Sequence, residues 1–499
     1  MSDYLLTVGL EIHAELSTKT KMFCNSGNDI NLSAQTSELR PNTNVCPICL
    51  GYPGTLPVIN KEAVRKVLRL GLAVGGEIAN YTEFDRKNYF YPDIPKGYQI
   101  SQYKYPLIKG GILNGVKLTR IHLEEDTAKS LHDSNDQFPI SNLQSNHNES
   151  TSNANSKLKI GNSLLDFNRA GIPLMELVTE PMIKSAEEAA GFARELQLLL
   201  KYLNVSEANM EKGEMRVEAN ISVAKVRPLD SEFPRSDLGT KVEVKNLNSF
   251  KIVEKAIKFE MRRQIEILEK GDVVIQETRG WDENRESTFS QRLKESAHDY
   301  RYFPDPDLPK LFLKEVPELA RTVLAKSLPE LPWEKRERYK KDFGLKESDI
   351  EIYVRELEWG RLFEETLAIL TDRNLAQLTS NYITSDLKSI IAAESLATVI
   401  RMVSAGDISS RGAKDILKIL ETDGGEPRAI AKERKMIQNS NVEELEIIVN
   451  KVIKENPEAV IEYQKGKLTS LQFLVGQAMK DAKGSANPQV LKEIFIKIL

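Results

Sequence analysis

The stretch VGLEIHAEL, Val8–Leu16, lies almost at the start of the chain and alternates apolar with polar side chains. In an extended strand, the side chains of every second residue share one face. One face of this strand would be apolar, whereas the other would carry Glu11, His13 and Glu15. The stretch therefore predicts a strand with one core face and one face of ionisable groups.

The chain has 499 residues, enough for about three domains of ordinary size. Its formal net charge of −4 excludes a global attraction to nucleic acid, although local clusters of Lys and Arg could still bind phosphates. No window reaches the roughly 18 apolar residues that a membrane span needs, and the N-terminus does not resemble a signal peptide. We therefore expect a soluble, cytoplasmic protein that has no membrane partner.

Up to about residue 300, strand-like alternation mixes with Gly, Pro and Asn turns, and beyond it the pattern is almost wholly helical. The prediction is an α+β fold, with a largely antiparallel sheet first and two small α-helical domains after it. We place the domains at residues 1–296, 297–405 and 406–499. Residues 133–157 are rich in Ser and Asn and are expected to form a flexible surface insertion. Ser409 or Ser410 could cap a helix in the third domain.

Three further segments repeat the alternation, namely VKLTRIHLEED, EMRVEANISV and GTKVEVKNLNS at residues 116–126, 214–223 and 239–249. In the first segment, the adjacent Glu124 and Glu125 would point to opposite faces unless the strand ends or bulges there. The polar faces of the other two strands would carry seven more residues, which are Arg216, Glu218, Asn220, Ser222, Lys241, Glu243 and Lys245. For each strand alone, an ordinary half-exposed sheet surface is also a sufficient interpretation.

Together, these polar faces suggest the floor of a pocket. Carboxylates beside one imidazole suit a hard or borderline divalent ion that keeps positions open for phosphate oxygens. Arginine and lysine side chains beside them would hold the phosphates. The combination predicts phosphoryl transfer from a metal-bound nucleotide.

The segment FDRKNYFYPDIPKGYQISQY, Phe84–Tyr103, places cations at Arg86, Lys87 and Lys96 among aromatic rings such as Tyr89. Such a loop could stack a base on a ring and direct a lysine at a phosphate. Alternatively, its aromatic residues could simply anchor an irregular loop to the core. In GGILNGVK at residues 110–117, Val116 occupies the position where a phosphate loop has its lysine, directly after the second glycine. No GxGxxG opens a βαβ unit either, so an ATP site here would be of an unusual kind.

The three cysteines of the chain, Cys24, Cys46 and Cys49, lie close together in sequence. A CPxC turn with one distant cysteine resembles part of a structural zinc site, which normally needs four Cys or His ligands. The fourth ligand is absent, because Ser26 is not a usual one. Reduced thiols packed in a turn are the alternative, and either interpretation indicates a reducing compartment.

Long runs of this sequence resemble the GatB subunit of the tRNA-dependent Asp/Glu amidotransferase family, the heterotrimer often called GatCAB. The runs are VGLEIHAELSTKTKMFC, NTNVCPICLGYPGTLPVIN, RKNYFYPDIPKGYQISQY, IHLEEDTAKS, DFNRAGIPLMELVTEP, EANISV, GTKVEVKNLNSF, DYRYFPDPDLP and the tail from NPEAVIEY to VLKEI. They span nearly the full chain and are interrupted mainly by the Ser/Asn-rich insertion.

The resemblance implies an activity, partners and cofactors. ATP would phosphorylate the side-chain carboxylate of Glu or Asp wrongly attached to tRNA(Gln) or tRNA(Asn), and ammonia would then displace the phosphate. An amidase partner, GatA, would release this ammonia from glutamine, a small partner, GatC, would complete the heterotrimer, and Mg²⁺ would offset the charge between triphosphate and carboxylate. The implied fold is a β-rich cradle, a helical domain and a small helical tail that touches the tRNA.

The resemblance also assigns residues. It implies magnesium ligands at Glu11, His13 and Glu125, with Glu124 as a further candidate, and catalytic roles for Glu11, His13, Glu125, Arg216 and Lys245. Nucleotide contacts are expected at Arg86, Lys87, Tyr89, Lys96, Glu218, Asn220 and Lys241. Glu176 and Glu180 could line the site or the ammonia route, or form a structural salt bridge.

Two other assignments follow from the resemblance. Family members with a zinc knuckle carry Cys-x-Cys where this chain has Cys24 and Ser26, a departure that is consistent with loss of the ion. In the tail, four lysines would suit tRNA phosphates, or could line a solvated helix face, namely Lys465, Lys467, Lys480 and Lys483.

Two rival functions remain at this point. One is a non-catalytic tRNA-binding adaptor, which has no need of Glu11, His13 and Glu125 together. The other is a metal-dependent hydrolase that uses the same carboxylates to activate water.

Overall fold

The computed structural model describes residues 3–28, 40–132, 163–226, 238–293, 300–438, 441–482 and 486–499. The chain forms two compact units, Met1–Leu331 and Pro332–Leu499. The finer division predicted from the sequence, with boundaries after residues 296 and 405, stays a prediction. The predicted insertion at 133–157 and the tail residue Lys483 lie outside the described residues.

Seventeen strands lie in the described part of the first unit. They are β1 (Tyr4–Glu15), β2 (Glu77–Ile78), β3 (Tyr81–Thr82), β4 (Asp85–Asn88), β5 (Tyr98–Ser101), β6 (Ile108–Lys109), β7 (Ile112–Leu113), β8 (Val116–Glu125), β9 (Lys129–His132), β10 (Ser163–Asp166), β11 (Pro173–Thr179), β12 (Met215–Lys225), β13 (Val242–Leu247), β14 (Glu277–Asp282), β15 (Ser287–Leu293), β16 (Phe303–Pro304) and β17 (Leu311–Phe312).

Ten of these strands form one large sheet, in the order β15-β14-β13-β12-β1-β11-β8-β6-β2, with β7 paired to β8. All neighbours are antiparallel except β13 and β14, which run parallel. A smaller sheet has the order β16-β4-β5, and β9 with β10 and β3 with β17 form two-stranded pairs. The prediction of an α+β fold with a largely antiparallel sheet is confirmed.

The opening strand β1 sits near the middle of the large sheet, between β12 and β11. Its apolar side chains Val8, Leu10 and Ile12 are fully buried. The helices of this unit are α1 (Lys61–Ala73), α2 (Ala186–Tyr202), α3 (Phe250–Glu269) and α4 (Arg321–Lys326). Helix α2 contacts β1, and α3 contacts β12 and β13. The apolar alternation of the strands thus forms the core, which leaves the ionisable residues on the opposite face.

Serine side chains start the two long helices that pack on the sheet. The hydroxyl of Ser185 accepts the backbone N–H of Glu188 at the start of α2, and that of Ser249 accepts the N–H of Ile252 at the start of α3. Each bond satisfies one backbone donor that a helix start leaves unpaired.

The second unit is helical in its described residues. Its helices are α5 (Pro332–Phe343), α6 (Glu347–Arg355), α7 (Leu357–Leu370), α8 (Ala376–Asp386), α9 (Ala393–Ser404), α10 (Ser410–Thr422), α11 (Pro427–Glu433), α12 (Val442–Glu455), α13 (Pro457–Gln464), α14 (Leu468–Asp481) and α15 (Pro488–Ile498). Ser409 caps α10 by accepting the N–H of Gly412, so the first of the two predicted caps is confirmed.

The last four helices share a core of their own. Leu445 and Val449 of α12, Leu474 of α14 and Phe495 of α15 are fully buried together. None of the helices in the described part combines the length and the apolar character that a membrane crossing requires.

Candidate metal and nucleotide site

His13 lies at the centre of a group of carboxylates on the polar face of the large sheet. Its Nε2 atom is 3.4 Å from a carboxylate oxygen of Glu124, 3.5 Å from one of Glu176 and 4.0 Å from one of Glu11. Three adjacent strands supply these residues: Glu11 and His13 come from β1, Glu176 lies opposite His13 on β11, and Glu124 comes from β8. The register of the sheet therefore gathers side chains that are far apart in sequence.

Their donor atoms are close enough to share an ion. Those of Glu11, His13 and Glu176 lie within 4.8 Å of one another, and so do those of His122, Glu124 and Glu176. We call these five residues the acidic cluster. Carboxylate oxygens with imidazole nitrogen fit a hard or borderline divalent ion such as Mg²⁺. The residues present therefore fit the metal that the resemblance implies.

The pKa values of His13 and Glu11 show how the acidic cluster balances its charge when no metal is bound. Burial by itself lowers the pKa of His13, but the hydrogen bond with Glu176 and the charge of Glu124 outweigh it and raise this pKa to about 9. Burial, with the charges of Glu176 and Glu218, raises the pKa of Glu11 to about 7. Without a metal, protons on the imidazole and on a carboxyl therefore offset the negative charge.

The second histidine of the cluster, His122, stays neutral near pH 7. Burial lowers its pKa to about 4, and its Nε2 atom lies 3.5 Å from Glu176. Arg120 contacts the other oxygen of Glu176 at 3.1 Å. Burial raises the pKa of Glu176, but the hydrogen bond with His13 and the charges of His13 and Arg120 hold it well below its usual value. Glu176 is thus fixed as a carboxylate between two imidazoles.

The adjacent Glu124 and Glu125 separate onto opposite faces of β8. Glu124 lies at His13 and accepts a hydrogen bond from the Ser101 hydroxyl at 3.2 Å. Glu125 instead pairs with the Lys96 ammonium at 2.5 Å and accepts the backbone N–H of Ile100 at 3.0 Å. The register between β8 and β11 is regular at both glutamates, so no bulge turns them to one side. The glutamate that contacts His13 is therefore Glu124, and the magnesium role predicted for Glu125 stays a prediction.

A second polar group extends the same face across β12 and β13. The donor atoms of Glu11, Glu218 and Glu243 lie within 4.8 Å of one another, and Lys245 contacts Glu218 at 2.7 Å. Burial opposes the charge of Lys245, but the charges of Glu218 and Glu243 raise its pKa. The Oδ1 atom of Asn220 is buried and has no hydrogen-bond partner among the described residues. This region therefore combines acidic, cationic and unsatisfied amide groups beside the acidic cluster.

Two further cations of the predicted site have different surroundings. Arg216 pairs with Asp126 at 2.8 Å, and Asp126 also pairs with Arg169 at 2.9 Å. Lys241 is exposed and precedes β13. The predicted roles of Arg216 and Lys241 toward phosphate stay predictions.

The aromatic segment divides its cations between two sides of the small sheet. Arg86 is engaged away from the acidic cluster, with Asp305 at 2.7 Å, Asp307 at 2.9 Å and the Tyr98 ring. Lys87, one residue later on β4, is half-buried and interacts with the charges of Glu124 and Glu176. Burial opposes the ammonium, yet these charges raise its pKa. Of the two, Lys87 is therefore the cation at the acidic cluster.

The three cysteines form a compact cluster of their own. Their sulfur atoms lie within 4.8 Å of one another, with 3.7 Å between Cys46 and Cys49. The ammonium of the fully buried Lys21 lies 3.9 Å from the Cys49 sulfur, as does the Ser26 hydroxyl. Among the described residues, the group contains three sulfur ligands and no fourth Cys or His. The donor set does not fit a closed tetrahedral zinc site.

Sequence reasoning missed part of this site. His122, Glu243 and Asp126 were not assigned roles, although His122 and Glu243 share strand faces with Glu124 and Lys245. Glu180 lies apart from Glu176 and accepts a hydrogen bond from the Thr119 hydroxyl at 2.8 Å. The alternation of side chains along each strand could have identified His122 and Glu243, because residues two positions apart share a face.

Two regions of this chain match models of a known protein family. Residues 6–317 match the family model described as the GatB/GatE catalytic domain, and residues 361–499 match the one described as the GatB domain. The first match contains all five residues of the acidic cluster.

Full-length relatives are also similar to this chain. It is 39% identical to the GatB subunit of the aspartyl/glutamyl-tRNA(Asn/Gln) amidotransferase of Gloeothece citriformis, over 100% of this chain and 98% of that protein. It is 38% identical to the corresponding subunit from Carboxydothermus hydrogenoformans, over 99% of this chain and 98% of that protein. It is 39% identical to that of Thermoanaerobacter pseudethanolicus, with the same coverage. The chain therefore belongs to the GatB/GatE family, as its sequence resemblance predicted.

Proposed function

We propose that this chain is the GatB subunit of a tRNA-dependent amidotransferase and that it activates the side-chain carboxylate of Glu or Asp carried on tRNA for amidation. The observation that carries the proposal is the acidic cluster, in which His13 is surrounded by three carboxylates on one face of the large sheet. Its relatives are named as subunits of the aspartyl/glutamyl-tRNA(Asn/Gln) amidotransferase.

The reaction has two steps because a carboxylate is a poor electrophile. First, a carboxylate oxygen attacks the γ-phosphorus of ATP, the bond to the bridging oxygen breaks, and ADP leaves with its electron pair. Second, ammonia attacks the acyl carbon, the bond to the phosphate oxygen breaks, and phosphate leaves while the nitrogen loses a proton. Both steps place negative charge beside the cluster, so cations must hold it.

The residues divide these tasks among themselves. Glu11, His13, Glu124 and Glu176 would hold Mg²⁺, which when bound offsets the charge between the triphosphate and the attacking carboxylate. His13 must then give up the proton that it carries in the metal-free site. Lys87, near Glu124 and Glu176, would orient the phosphates from the opposite side.

The group beside β13 would complete the nucleotide contacts. Lys245 would hold a phosphate oxygen, because Glu218 already positions its ammonium. Asn220 offers a buried amide oxygen with no partner among the described residues to a hydroxyl or an ordered water. Glu125 and its partner Lys96 lie on the other face of β8 and would not be among the metal ligands.

The proposal includes partners and a cell compartment. An amidase partner, GatA, would supply ammonia from glutamine, the small partner GatC would complete the complex, and Glu-tRNA(Gln), Asp-tRNA(Asn) or both would be the substrates. These substrates belong to translation, so we propose a cytoplasmic location.

Purified complex incubated with Glu-tRNA(Gln), Mg²⁺, ATP and an ammonium salt, without glutamine, tests the activity. The proposal expects Gln-tRNA(Gln) in amounts matched by ADP. Release of glutamate without ATP consumption would favour the hydrolase. If the chain were only an adaptor, a partner would perform the chemistry, and the complex would form the same amount of amide with a substituted acidic cluster as with the intact one.

The tail is expected to bind tRNA through exposed lysines, including Lys465, Lys467 and Lys480. Replacing each with Ala should lower the slope of log affinity against log salt by roughly one unit per lost phosphate contact. The exposed Lys314, replaced in the same way, is the control. Equal slopes for all variants would assign the tail lysines to a solvated helix face.

A further inference from the structure

Five tyrosine rings form a continuous series beside the acidic cluster. The ring centroids are 6.0 Å apart for Tyr91 and Tyr89, 5.9 Å for Tyr89 and Tyr300, 6.1 Å for Tyr300 and Tyr302, and 4.2 Å for Tyr302 and Tyr103. The last pair is stacked, with an angle of 9° between the ring planes. We call Tyr89, Tyr91, Tyr103, Tyr300 and Tyr302 the tyrosine series.

The rings at the two ends of the series are exposed, whereas those in its middle are partly buried. Tyr91 is 53% exposed and Tyr103 is 55% exposed, whereas Tyr89, Tyr300 and Tyr302 are partly buried. The Lys87 ammonium lies 5.8 Å from the centroid of the Tyr89 ring and 5.1 Å from that of Tyr300. Burial raises the pKa of Tyr302 to about 12, and the charges of Glu124 and Glu176 act on the same hydroxyl. Both ends of the series are therefore exposed, and its middle adjoins the acidic cluster.

Hydrogen bonds and ion pairs fix the backbone that carries these rings. The Asn88 side chain donates to the carbonyl oxygens of Tyr300 at 3.2 Å and Arg301 at 2.9 Å. The backbone N–H of Tyr103 donates to Asp85 at 3.0 Å. Arg86 pairs with Asp305 and Asp307, which fixes the segment that follows Tyr302.

Arg301, between two rings of the series, has a φ of +45°. This left-handed conformation is unfavourable for a residue other than Gly, and such strain persists only where surrounding contacts enforce it. These contacts hold the rings in place before any ligand binds. Tyr91 and Tyr103 are nevertheless half exposed, which would not be required if the rings served only to anchor an irregular loop to the core.

We propose that the tyrosine series stacks the unpaired bases at the 3′ end of the aminoacylated tRNA. This inference rests on the proposed function, since the reacting amino acid is esterified to the terminal ribose. The terminal ribose must then lie within about the length of one amino acid from the acidic cluster, which brings the last bases to the region where the series lies. Exposed aromatic rings stack bases of any sequence, and a neighbouring cation such as Lys87 complements the phosphates between them.

Fluorescence of 2-aminopurine, substituted for the terminal adenine of tRNA(Gln), reports this stacking directly. The intact complex should quench the fluorescence. Tyr103→Leu and Tyr302→Leu should lose most of the quenching and raise the KM for Glu-tRNA(Gln) about tenfold, while the KM for ATP stays the same. Tyr103→Phe keeps the ring and should keep the quenching.

Phe289→Leu is the matched control, because Phe289 is 44% exposed on β15, at the far edge of the large sheet. The proposal would be overturned if Tyr103→Leu and Tyr302→Leu both kept the full quenching while their thermal melts resembled that of the unsubstituted complex. A higher KM for ATP with an unchanged KM for the tRNA would also overturn it, because the series would then hold the adenine of ATP. Absence of amidation in the unsubstituted complex would refute the proposed function instead, and the fluorescence of uncharged tRNA would still test the stacking.

Discussion

The acidic cluster and the cysteine cluster each bring potential metal ligands within 4.8 Å of one another, yet they differ in what surrounds those ligands. Around His13, three carboxylates lie on a sheet face with cations at its rim. In the cysteine cluster, three cysteine sulfur atoms lie with the buried Lys21 ammonium and with Ser26. The first set has excess negative charge and open positions, whereas the second lacks one ligand and already contains a cation.

This difference teaches that closeness of ligands is not sufficient for a metal site. Oxygen and imidazole ligands with excess negative charge suit an ion that must also bind phosphates. A structural zinc ion needs a closed set of four ligands. We therefore assign the reaction metal to the acidic cluster and expect no metal at the cysteines.

The largest expected difference between the two clusters is in catalysis. His13→Ala should lower ammonium-dependent amidation by about 100-fold or more, since it removes the imidazole at the centre of the metal ligands. Cys46→Ser should leave the rate within about twofold. Glutamine hydrolysis by GatA should persist in both variants, which shows that each complex is assembled. Comparable losses for His13→Ala and Cys46→Ser would refute the distinction.

A second experiment sharpens the assignment within β8. Glu124→Gln should raise the Mg²⁺ concentration needed for half-maximal amidation about 10-fold to 100-fold, because it removes a charged ligand. Glu125→Gln should leave this Mg²⁺ concentration unchanged, since Glu125 pairs with Lys96 on the other face. The two variants differ by one position and make the same chemical change. If Glu125→Gln raised this Mg²⁺ concentration more than Glu124→Gln did, the result would contradict the assignment of Glu124, rather than Glu125, as the metal ligand.

The metal content of the cysteine cluster is the third point of comparison. We expect purified protein to carry much less than one zinc ion per chain by mass spectrometry of the metal. Ser26→Cys should raise the content toward one, because it supplies the fourth thiolate. Ser26→Ala is the matched control and should not raise it. One zinc ion per chain of the unsubstituted protein, retained through dialysis, would contradict the assignment.

The smallest expected effect concerns the pH dependence of stability in EDTA. The pKa of His13 is raised from 6.5 to about 9, so its stabilising contribution is complete below pH 6.5 and is lost as the pH rises through 9. The difference in unfolding free energy between the unsubstituted chain and His13→Gln should therefore fall by about 3 kcal/mol between pH 6 and 9.5.

For the cysteine cluster, we expect a stabilising contribution that increases with pH instead of decreasing. The hydrogen bond from Cys24 lowers the pKa of Cys49 from 9.0 to about 4, so this thiolate contributes stability above pH 9, which is lost as the pH falls through 4. The difference between the unsubstituted chain and Cys49→Ser should accordingly grow over the range in which that for His13→Gln falls. Chemical denaturation at several pH values measures both, and parallel slopes would contradict the two assignments.

The sequence predicted much of this arrangement because the parity of side chains along a strand is a local pattern. Alternation around Glu11 and His13 was visible in nine residues, and the same rule separated Glu124 from Glu125. The helix cap at Ser409 was equally local. Features that depend on neighbours in sequence could therefore be predicted with simple rules.

The rest required the order of the strands. No local pattern shows that β11 lies between β1 and β8, which is what brings Glu176 into contact with both His13 and His122. The ion pairs of Arg86 with Asp305 and Asp307 likewise join segments that are far apart in the chain. Matching motifs to a family implied Glu125 as a ligand, and only the register with β11 assigned that place to Glu124.

Anomalous diffraction from crystals of the complex with Mn²⁺ and ADP tests the central claim most directly. The account predicts one strong peak within coordination distance of the His13 imidazole and of carboxylate oxygens of Glu124 and Glu176, next to the phosphates of the nucleotide. A peak beside Glu125, or at the cysteine cluster, with the acidic cluster empty, would contradict it.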